Sequence, residues 1–186
     1  MPARTAFRRY DSASAENVLA VIVGPLYEAS HGDVIANPFY SAERFIERVR
    51  GYLVAPGFAL VVAYIGDVPV GQAFGYALPP NARWWQGLTT PVPEGFIEET
   101  GTRTFALNEL MVVPDWQGKG VAHALPDELL GSRREERATL LVREDNAAAQ
   151  TAYTRWGWQK VGKLQPYADS PHFDAMVLYL DTGSAR

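Results

Sequence analysis

Residues 109–122 read ELMVVPDWQGKGVA and contain the strongest structural signal of the sequence. The stretch begins as an apolar strand, is interrupted by Pro114, and passes through Gly118 and Gly120 into a helical pattern. The first N–H groups of a helix lack partners within the helix, and the helix dipole is positive at this end. Glycine lets the main chain approach a phosphate closely because no Cβ intervenes. We therefore predict a turn that holds a phosphate-bearing cofactor through its backbone.

Two other phosphate-binding motifs compete with this interpretation. A Walker loop requires Gly-x-x-x-x-Gly-Lys-Ser/Thr, which this stretch does not contain. The dinucleotide fingerprint Gly-x-Gly-x-x-Gly is matched by Gly118 and Gly120, but His123 stands at its third glycine and three residues separate strand from turn. Glu144 is placed to serve as the ribose-binding acid of that fingerprint. The dinucleotide alternative is weakened and stays open.

Two motifs in order resemble those of the GNAT N-acyltransferase superfamily. The first is Gln/Arg-x-x-Gly-x-Gly/Ala, present as Gln117, Gly120 and Ala122 after Leu-x-Val-x-Pro at 110–114. The second has the pattern Asn-x-x-Ala-x-x-x-Tyr-x-x-x-Gly-Phe with Trp in place of Phe, and its residues are Asn146, Ala149, Tyr153, Gly157 and Trp158. The resemblance covers roughly residues 105–180.

The resemblance implies acetyl-CoA as co-substrate, with its pyrophosphate on the glycine turn. It also implies that strands 109–113 and 139–142 start as neighbours and then splay apart. The splay would leave backbone N–H groups of Met111 to Val113 unpaired, available to the pantetheine and the thioester carbonyl. The cofactor-binding residues implied are Met111, Val112, Val113, Gln117, Gly118, Lys119, Gly120, Val121, Ala122, Asn146 and Ala149.

Two residues are candidates for the chemistry of acyl transfer from a thioester to an amine. Tyr153 is the predicted general acid, because a phenol of pKa about 10 is protonated at neutral pH and can donate to a thiolate. Glu109 is the predicted base, since a carboxylate in an apolar strand implies a polar cleft or a water link. Each has a structural alternative: Tyr153 as a packing residue, and Glu109 as a side chain that faces solvent.

The acceptor is expected to contact aromatic residues outside these motifs. Residues 81–103 are rich in Gly, Pro, Thr and Trp without a clear period, and so long a loop in a compact domain is usually functional or mobile. We predict that this loop receives a cationic amine through the aromatic faces of Trp84 and Trp85 and the carboxylates of Glu94, Glu98 and Glu99. The resemblance implies that Tyr40 also borders the acceptor pocket. Tryptophans that only cover a neighbouring helix are the alternative, and the same aromatic surface could also serve a homodimer.

Composition narrows the class of protein. The chain has 186 residues, suited to one domain over 1–181 with a polar tail at 182–186, and its 47% hydrophobic content is globular. A net charge of −4 argues against a nucleic-acid partner. The absence of cysteine excludes thiolate metal sites and disulfides, and the three histidines lack metal-ligand spacing, so no metal is expected. With no apolar run long enough for a leader or a membrane span, we expect a cytoplasmic protein.

Hydrophobic periodicity and turn residues predict the order of elements. The predicted elements are a strand at 5–10, helices at 15–30 (N-cap Ser12 or Ser14) and 42–53, a hairpin of strands 58–65 and 68–78 through Gly66-Asp67, a strand at 104–113, a helix to about 131, a strand at 139–142, a helix at 147–156, and strands at 158–164 and 173–180. A strand–helix–strand order predicts that 104–113 and 139–142 are parallel and adjacent. The order resembles the GNAT fold, an α/β (α+β) architecture in which helices flank a mixed central sheet of about seven strands.

The sequence thus predicts an N-acetyltransferase that moves an acetyl group from acetyl-CoA to a primary amine, with a small-molecule acceptor. A non-catalytic acyl-CoA-binding or interaction module on the same fold is the alternative. The two differ in whether Tyr153 and Glu109 act on a bound thioester or serve packing alone.

Overall fold

A computed structural model describes residues 4–32, 41–166 and 170–181. Its helices and strands, in chain order, are β1 (Thr5–Tyr10), α1 (Ser12–Glu16), a π-helix (Leu19–Val23), α2 (Gly24–Ser30), α3 (Ala42–Leu53), β2 (Ala59–Ile65), β3 (Val68–Ala77), β4 (Thr104–Val112), a 3-10 helix (Pro114–Trp116), α4 (Val121–Leu130), β5 (Arg137–Arg143), α5 (Ala147–Arg155), β6 (Gln159–Leu164) and β7 (Phe173–Tyr179). The prediction of seven strands and flanking helices is confirmed.

The seven strands form one mixed sheet in the order β1-β2-β3-β4-β5-β7-β6. β1 and β3 flank β2 in antiparallel pairs, and the hairpin predicted at Gly66-Asp67 joins β2 to β3. β4 and β5 are parallel, as predicted, and β7 is antiparallel to both of its neighbours. The parallel pairing of β4 with β5 requires a crossover connection between them, and α4 lies in that connection.

The described chain separates into two compact units, each with its own core. The first contains the described residues of 1–76 and 108–133, and the second those of 77–107 and 134–186. In the first unit, Phe45 and Val49 of α3 pack into one core cluster with alternate residues of β2. Fully burying an apolar side chain of this size is worth roughly 1.5–3 kcal/mol. The predicted single domain over 1–181 stays a prediction.

The second unit has a core of Trp85, Leu164, Ala175 and Val177, against which Trp84 and Leu88 also pack. Its distinctive feature is the attachment of the loop at 81–103 to the edge strand β6. The N–H of Thr89 donates to the Lys163 carbonyl (2.9 Å) and the N–H of Gln165 donates to the Gly87 carbonyl (3.0 Å). The loop thus supplies the edge of β6 with hydrogen-bond partners.

One predicted element is wrong: residues 15–30 do not form a single helix. α1 ends at Glu16, a π-helix follows, and α2 starts at Gly24. Within the π-helix the N–H of Val23 donates to the Val18 carbonyl, five residues back (3.1 Å). Pro25 lacks the N–H that a continuous α-helix would direct to Val21. The apolar residues keep their helical spacing because α1, the π-helix and α2 each direct their buried residues to the core.

The cap of the first helix also differs from the prediction. Asp11, and not Ser12 or Ser14, is the N-cap of α1. Its Oδ1 accepts from the Ser14 N–H (2.9 Å) while the Ser14 Oγ accepts from the Asp11 N–H (2.9 Å). This reciprocal pair is a capping box with Ser at the third helical position. α3 and α5 begin at their predicted first residues, 42 and 147.

Candidate active site

The turn between β4 and α4 has the conformation that its glycines predict. Gly118 and Gly120 have φ of 70° and 86°, and Gly120 is the N-cap of the ten-residue helix α4. Apart from the glycine itself and its two chain neighbours, no heavy atom of the described residues lies within 4 Å of the place where a Cβ would stand at either position. Positive φ, and not crowding, is therefore what requires glycine here, and both backbones face open space.

The N–H groups of this turn are available to a ligand. In the described part of the chain, no hydrogen bond is formed by the N–H groups of residues 118–122, which are Gly118, Lys119, Gly120, Val121 and Ala122. The first N–H groups with partners belong to His123 and Ala124, which donate to the Gly120 carbonyl (3.2 and 3.1 Å). Five successive donors at a positive helix end suit a diphosphate.

Gln117 and Lys119 hold the turn in place. The Gln117 Nε2 donates to the Val112 carbonyl at 3.0 Å, which ties the turn to the end of β4. The Lys119 ammonium lies 4.6 Å from the centroid of the Trp116 ring. At an exposed site such a cation–π contact is worth about 0.5–1 kcal/mol. Lys119 can therefore move toward a phosphate at small cost.

The end of β4 offers one main-chain donor where three were predicted to be unpaired. The ladder between β4 and β5 ends at Ala106 and Thr139, although β4 continues to Val112. The Val113 N–H, however, donates to the Val70 carbonyl at 3.0 Å, so its predicted availability is wrong. N–H groups of successive strand residues point to opposite edges. Val112 therefore directs its N–H away from β3, and it is the best-placed donor.

Glu109 lies on β4 in a partly buried position and not in open solvent. Burial raises the pKa of its carboxyl from the usual 4.5 to about 7, against the opposing effects of the Arg48 charge and of a hydrogen bond from the Leu110 N–H. A group with this pKa is populated in both protonation states near neutral pH. Glu109 therefore has the proton affinity of a general base.

Three further residues lie with Glu109 in the first unit, and sequence reasoning missed them. Tyr52 of α3 and Tyr76 of β3 have ring centroids 5.4 Å apart. Burial, then the nearby Tyr76 and Glu109, raises the pKa of the Tyr52 phenol, and Arg48 opposes the shift. Arg48 and Tyr52 are four residues apart on α3, a helical spacing that the sequence contained, but nothing in it connected them to residues 76 and 109.

In the second unit the helix α5 carries the other predicted catalytic segment. The Asn146 Oδ1 accepts from the Ala149 N–H (3.1 Å), so two predicted cofactor residues are joined by an N-cap bond. The Tyr153 ring packs edge-on against Trp156 (5.6 Å) and Trp158 (6.0 Å) between centroids. These contacts fix the orientation of the phenol. The roles of Asn146, Ala149 and Tyr153 toward a cofactor stay predictions.

The predicted acceptor residues of the loop have structural contacts. Trp85 is 5% exposed, and its Nε1 donates to the Glu99 Oε1 at 2.8 Å. The Trp84 Nε1 donates to the Thr139 Oγ1 at 3.3 Å. These contacts account for both tryptophans without an acceptor, whose binding there stays a prediction. Tyr40, which the resemblance implied at the border of the acceptor pocket, lies outside the described residues.

The described residues contain neither a group suited to a metal ion nor a membrane-spanning helix. Within 4–32, 41–166 and 170–181, no group of three His, Asp or Glu side chains could hold a metal ion. Over the same ranges, no helix has both the length and the apolar character needed to cross a bilayer. The predicted cytoplasmic location and homodimer stay predictions.

Comparison with known proteins identifies relatives of this chain. A family model described as an acetyltransferase (GNAT) domain matches residues 90–179. The chain is also similar to a GCN5-like protein acetyltransferase of Mycobacterium tuberculosis, at 31% identity over 125 residues. That match covers 62% of this chain and 60% of the relative, so the chain spans about three fifths of the relative's length.

Solved structures share the fold over nearly the whole chain. An acetyltransferase from Thermus thermophilus has a TM-score of 0.68 at 14% identity, covering 97% of this chain and 100% of that one. The structure of yncA from Salmonella typhimurium, which holds its cofactor acetyl-CoA, has a TM-score of 0.59 at 18% identity and covers 97% and 96%. At these identities the similarity shows a common fold.

Proposed function

Because this chain belongs to the GNAT acetyltransferase superfamily, as its two motifs predicted, we propose that it acetylates a primary amine of a small-molecule acceptor. Acetyl-CoA is the acetyl donor in this proposal, and the amine attacks it directly. The observation that carries the proposal is the row of N–H groups from Gly118 to Ala122 without partners among the described residues. These groups directly follow the strand that bears Glu109, a base with a pKa of about 7.

In the proposed binding mode, the backbone of the turn holds the pyrophosphate of the co-substrate. The N–H groups of residues 118–122 donate to its oxygens, and the positive end of α4 favours its negative charge. Lys119 leaves the Trp116 ring to add a point charge. The Val112 N–H donates to the thioester carbonyl oxygen, where negative charge develops during attack.

The proposed reaction removes two protons from the acceptor nitrogen and supplies one to the departing sulfur. Glu109 takes a proton from the ammonium form of the acceptor, directly or through a water, and the neutral amine then attacks the thioester carbonyl carbon. A C–N bond forms, the C–S bond breaks, and the nitrogen loses its second proton to solvent. Tyr153 donates its phenolic proton to the departing thiolate, which leaves as free CoA, and the phenol is reprotonated from water.

The test measures free CoA released from acetyl-CoA across a panel of amines, with acetyl-CoA binding followed separately by calorimetry. We expect binding together with amine-dependent release of CoA and formation of an N-acetyl product seen by mass spectrometry. Failure to bind acetyl-CoA contradicts the whole proposal. Binding without release from any amine favours instead the non-catalytic acyl-CoA-binding module.

A reduced nicotinamide cofactor serves as the control ligand for the dinucleotide alternative. It should give no saturable binding, because Gly118 and Gly120 lack the third glycine of that fingerprint. Saturable binding that acetyl-CoA does not displace would revive that alternative.

A further inference from the structure

Four side chains of the first unit form what we call the acceptor cluster, defined as Arg48, Tyr52, Tyr76 and Glu109. Arg48 and Tyr52 lie one helical turn apart on α3, Tyr76 lies on β3, and Glu109 on β4. The two phenol rings are 5.4 Å apart at an interplanar angle of 30°. Arg48 and Glu109 both lie close enough to Tyr52 to perturb its ionisation. One cluster thus contains a cation, two phenols and a carboxyl group.

The Arg48 guanidinium forms no ion pair with any described residue. It is exposed, and no carboxylate of the described chain lies within ion-pair distance of it, whereas Arg50 on the same helix pairs with Glu16 at 2.9 Å. The guanidinium carbon of Arg48 lies over the Phe45 ring, 5.6 Å from the ring centroid, in a cation–π contact. A guanidinium presents paired N–H donors that match a carboxylate. Arg48 is thus a binding group for an anion beside the proposed base.

We propose that the acceptor is a compact aminocarboxylate of the α-amino acid class, whose carboxylate binds Arg48 and the Tyr52 hydroxyl while its amine faces Glu109. This inference rests on the proposed function, because it names the substrate of the same reaction. Tyr52 and Tyr76 present apolar ring surface to the carbon skeleton between the two charged groups. A polyamine, by contrast, would bring a second cation toward Arg48 and be repelled.

The carboxylate of such an acceptor also acts on the base. The Arg48 charge lowers the pKa of Glu109, partly offsetting the effect of burial. A bound carboxylate neutralises the Arg48 charge and removes this lowering effect, which opposes the lowering of the same pKa by the acceptor's own ammonium group. Tyr52 from α3 and Tyr76 from β3 are the other titratable groups of the cluster, and the raised pKa of the Tyr52 phenol keeps it protonated at neutral pH. The carboxylate therefore contributes to proton transfer as well as to affinity.

The first experiment compares each of the common α-amino acids with its carboxamide and with the corresponding decarboxylated amine, using CoA release by the full chain. We expect at least one amino acid with a kcat/KM ten or more times that of its carboxamide. Arg48→Gln should reduce the ratio of kcat/KM for the amino acid to that for its carboxamide to near one. Arg48→Lys should keep part of this preference, because lysine retains the charge but lacks the paired N–H donors of the guanidinium. Arg44→Gln, at an exposed arginine one turn earlier on α3, is the matched control.

The second readout is the pH profile of kcat/KM. Removing Arg48 removes a charge that lowers the pKa of Glu109, so Arg48→Gln should move the acidic limb to higher pH. A merely structural role for Arg48 would not move this limb. An unshifted limb in a variant with the wild-type Tm would count against the cluster.

The outcomes separate the inference from the proposed function. Equal turnover of amino acids and carboxamides, preference for a polyamine, or turnover only of amines without a carboxylate overturns the inference and leaves the acetyltransferase proposal standing. No binding of acetyl-CoA contradicts the proposed function itself. Binding of acetyl-CoA without turnover of any acceptor overturns both.

Discussion

Two regions of the molecule differ in how their polar groups are hydrogen-bonded. One is β4 with the turn that follows it, and the other is the loop at 81–103. In the turn after β4, the N–H groups of residues 118–122 find no partners among the described residues. Glu109, on β4 itself, is partly buried, and no cation of the described residues forms an ion pair with it. In the loop, Glu99 is nearly fully buried, and its Oε1 accepts from Arg137, Trp85 and Thr104, while its Oε2 has no hydrogen-bond partner among the described residues. A row of backbone donors that faces open space indicates a ligand site, whereas a carboxylate oxygen that three buried donors share indicates a structural role.

Replacing Glu109 should have the largest effect on activity. Glu109→Gln removes the base, and loss of a general base lowers kcat/KM by about 10²–10⁴-fold. In the wild type, kcat/KM should rise with pH and level off above about 7, because the carboxyl must be ionised to accept a proton. Steady-state kinetics from pH 5.5 to 9 measure both, and a variant with full activity would exclude Glu109 as the base.

The stability of the same variant provides a control for folding. A carboxyl whose pKa is raised in the folded state favours folding below its unfolded pKa, and that contribution is lost as pH rises through about 7. Glu109→Gln should therefore be more stable than the wild type at pH 8 and lose this advantage toward pH 4.5. Thermal unfolding at the two pH values measures the difference. A less stable variant at pH 8 would mean that Glu109 has a paired, structural role.

Replacing Glu99 should have a large effect on stability and little on turnover. Glu99→Gln leaves the buried Arg137 guanidinium without its countercharge, 3.2 Å away in the wild type. Breaking a buried pair in this way costs about 3–5 kcal/mol. The Tm should fall by roughly 6–20 °C while kcat/KM at 20 °C stays unchanged. Glu98→Gln, at the exposed neighbour, is the control, and equal effects of the two substitutions would refute the assignment of the loop as structural.

A negative charge in the turn should weaken cofactor binding without unfolding the chain. Gly120→Asp places a carboxylate among the N–H donors, and Asp tolerates positive φ better than most residues. The dissociation constant for acetyl-CoA should rise at least tenfold, or about 1.4 kcal/mol. Gly66→Asp, at a glycine of similar φ in the β2–β3 hairpin with open space around it, is the matched control. An unchanged constant in Gly120→Asp would contradict the diphosphate placement.

The smallest expected effect is that of removing one phenol. Tyr153→Phe keeps the ring contacts with Trp156 and Trp158 but loses the proposed acid. Because a thiolate of pKa about 8.5 leaves readily even unprotonated, kcat should fall only about tenfold. Acetyl-CoA affinity should be unaffected. Tyr179→Phe, at an exposed position of β7, is the control, and wild-type kcat in Tyr153→Phe would remove the acid assignment.

Local sequence predicted most of the fold and part of the candidate site. Strand alternation, helix periodicity and the glycines at 66, 118, 120 and 157 located the elements, and positive φ at each of these glycines explains why. The division of residues 15–30 was missed because apolar spacing does not distinguish one helix from three pieces that share a face. The Val113 N–H was misassigned because its partner, Val70, lies on another strand.

The glycine turn, the helix start after it and the acidic residue within an apolar strand could be located from the sequence, since these features depend on neighbours a few positions away. The packing of the folded chain was needed to show that Glu109 is partly buried beside Arg48, Tyr52 and Tyr76, and that Glu99 is paired with Arg137. Burial and electrostatic interaction depend on which distant segments pack around a group. Two glutamates ten residues apart therefore differ in their partners and in their inferred roles, for reasons that no local pattern contains.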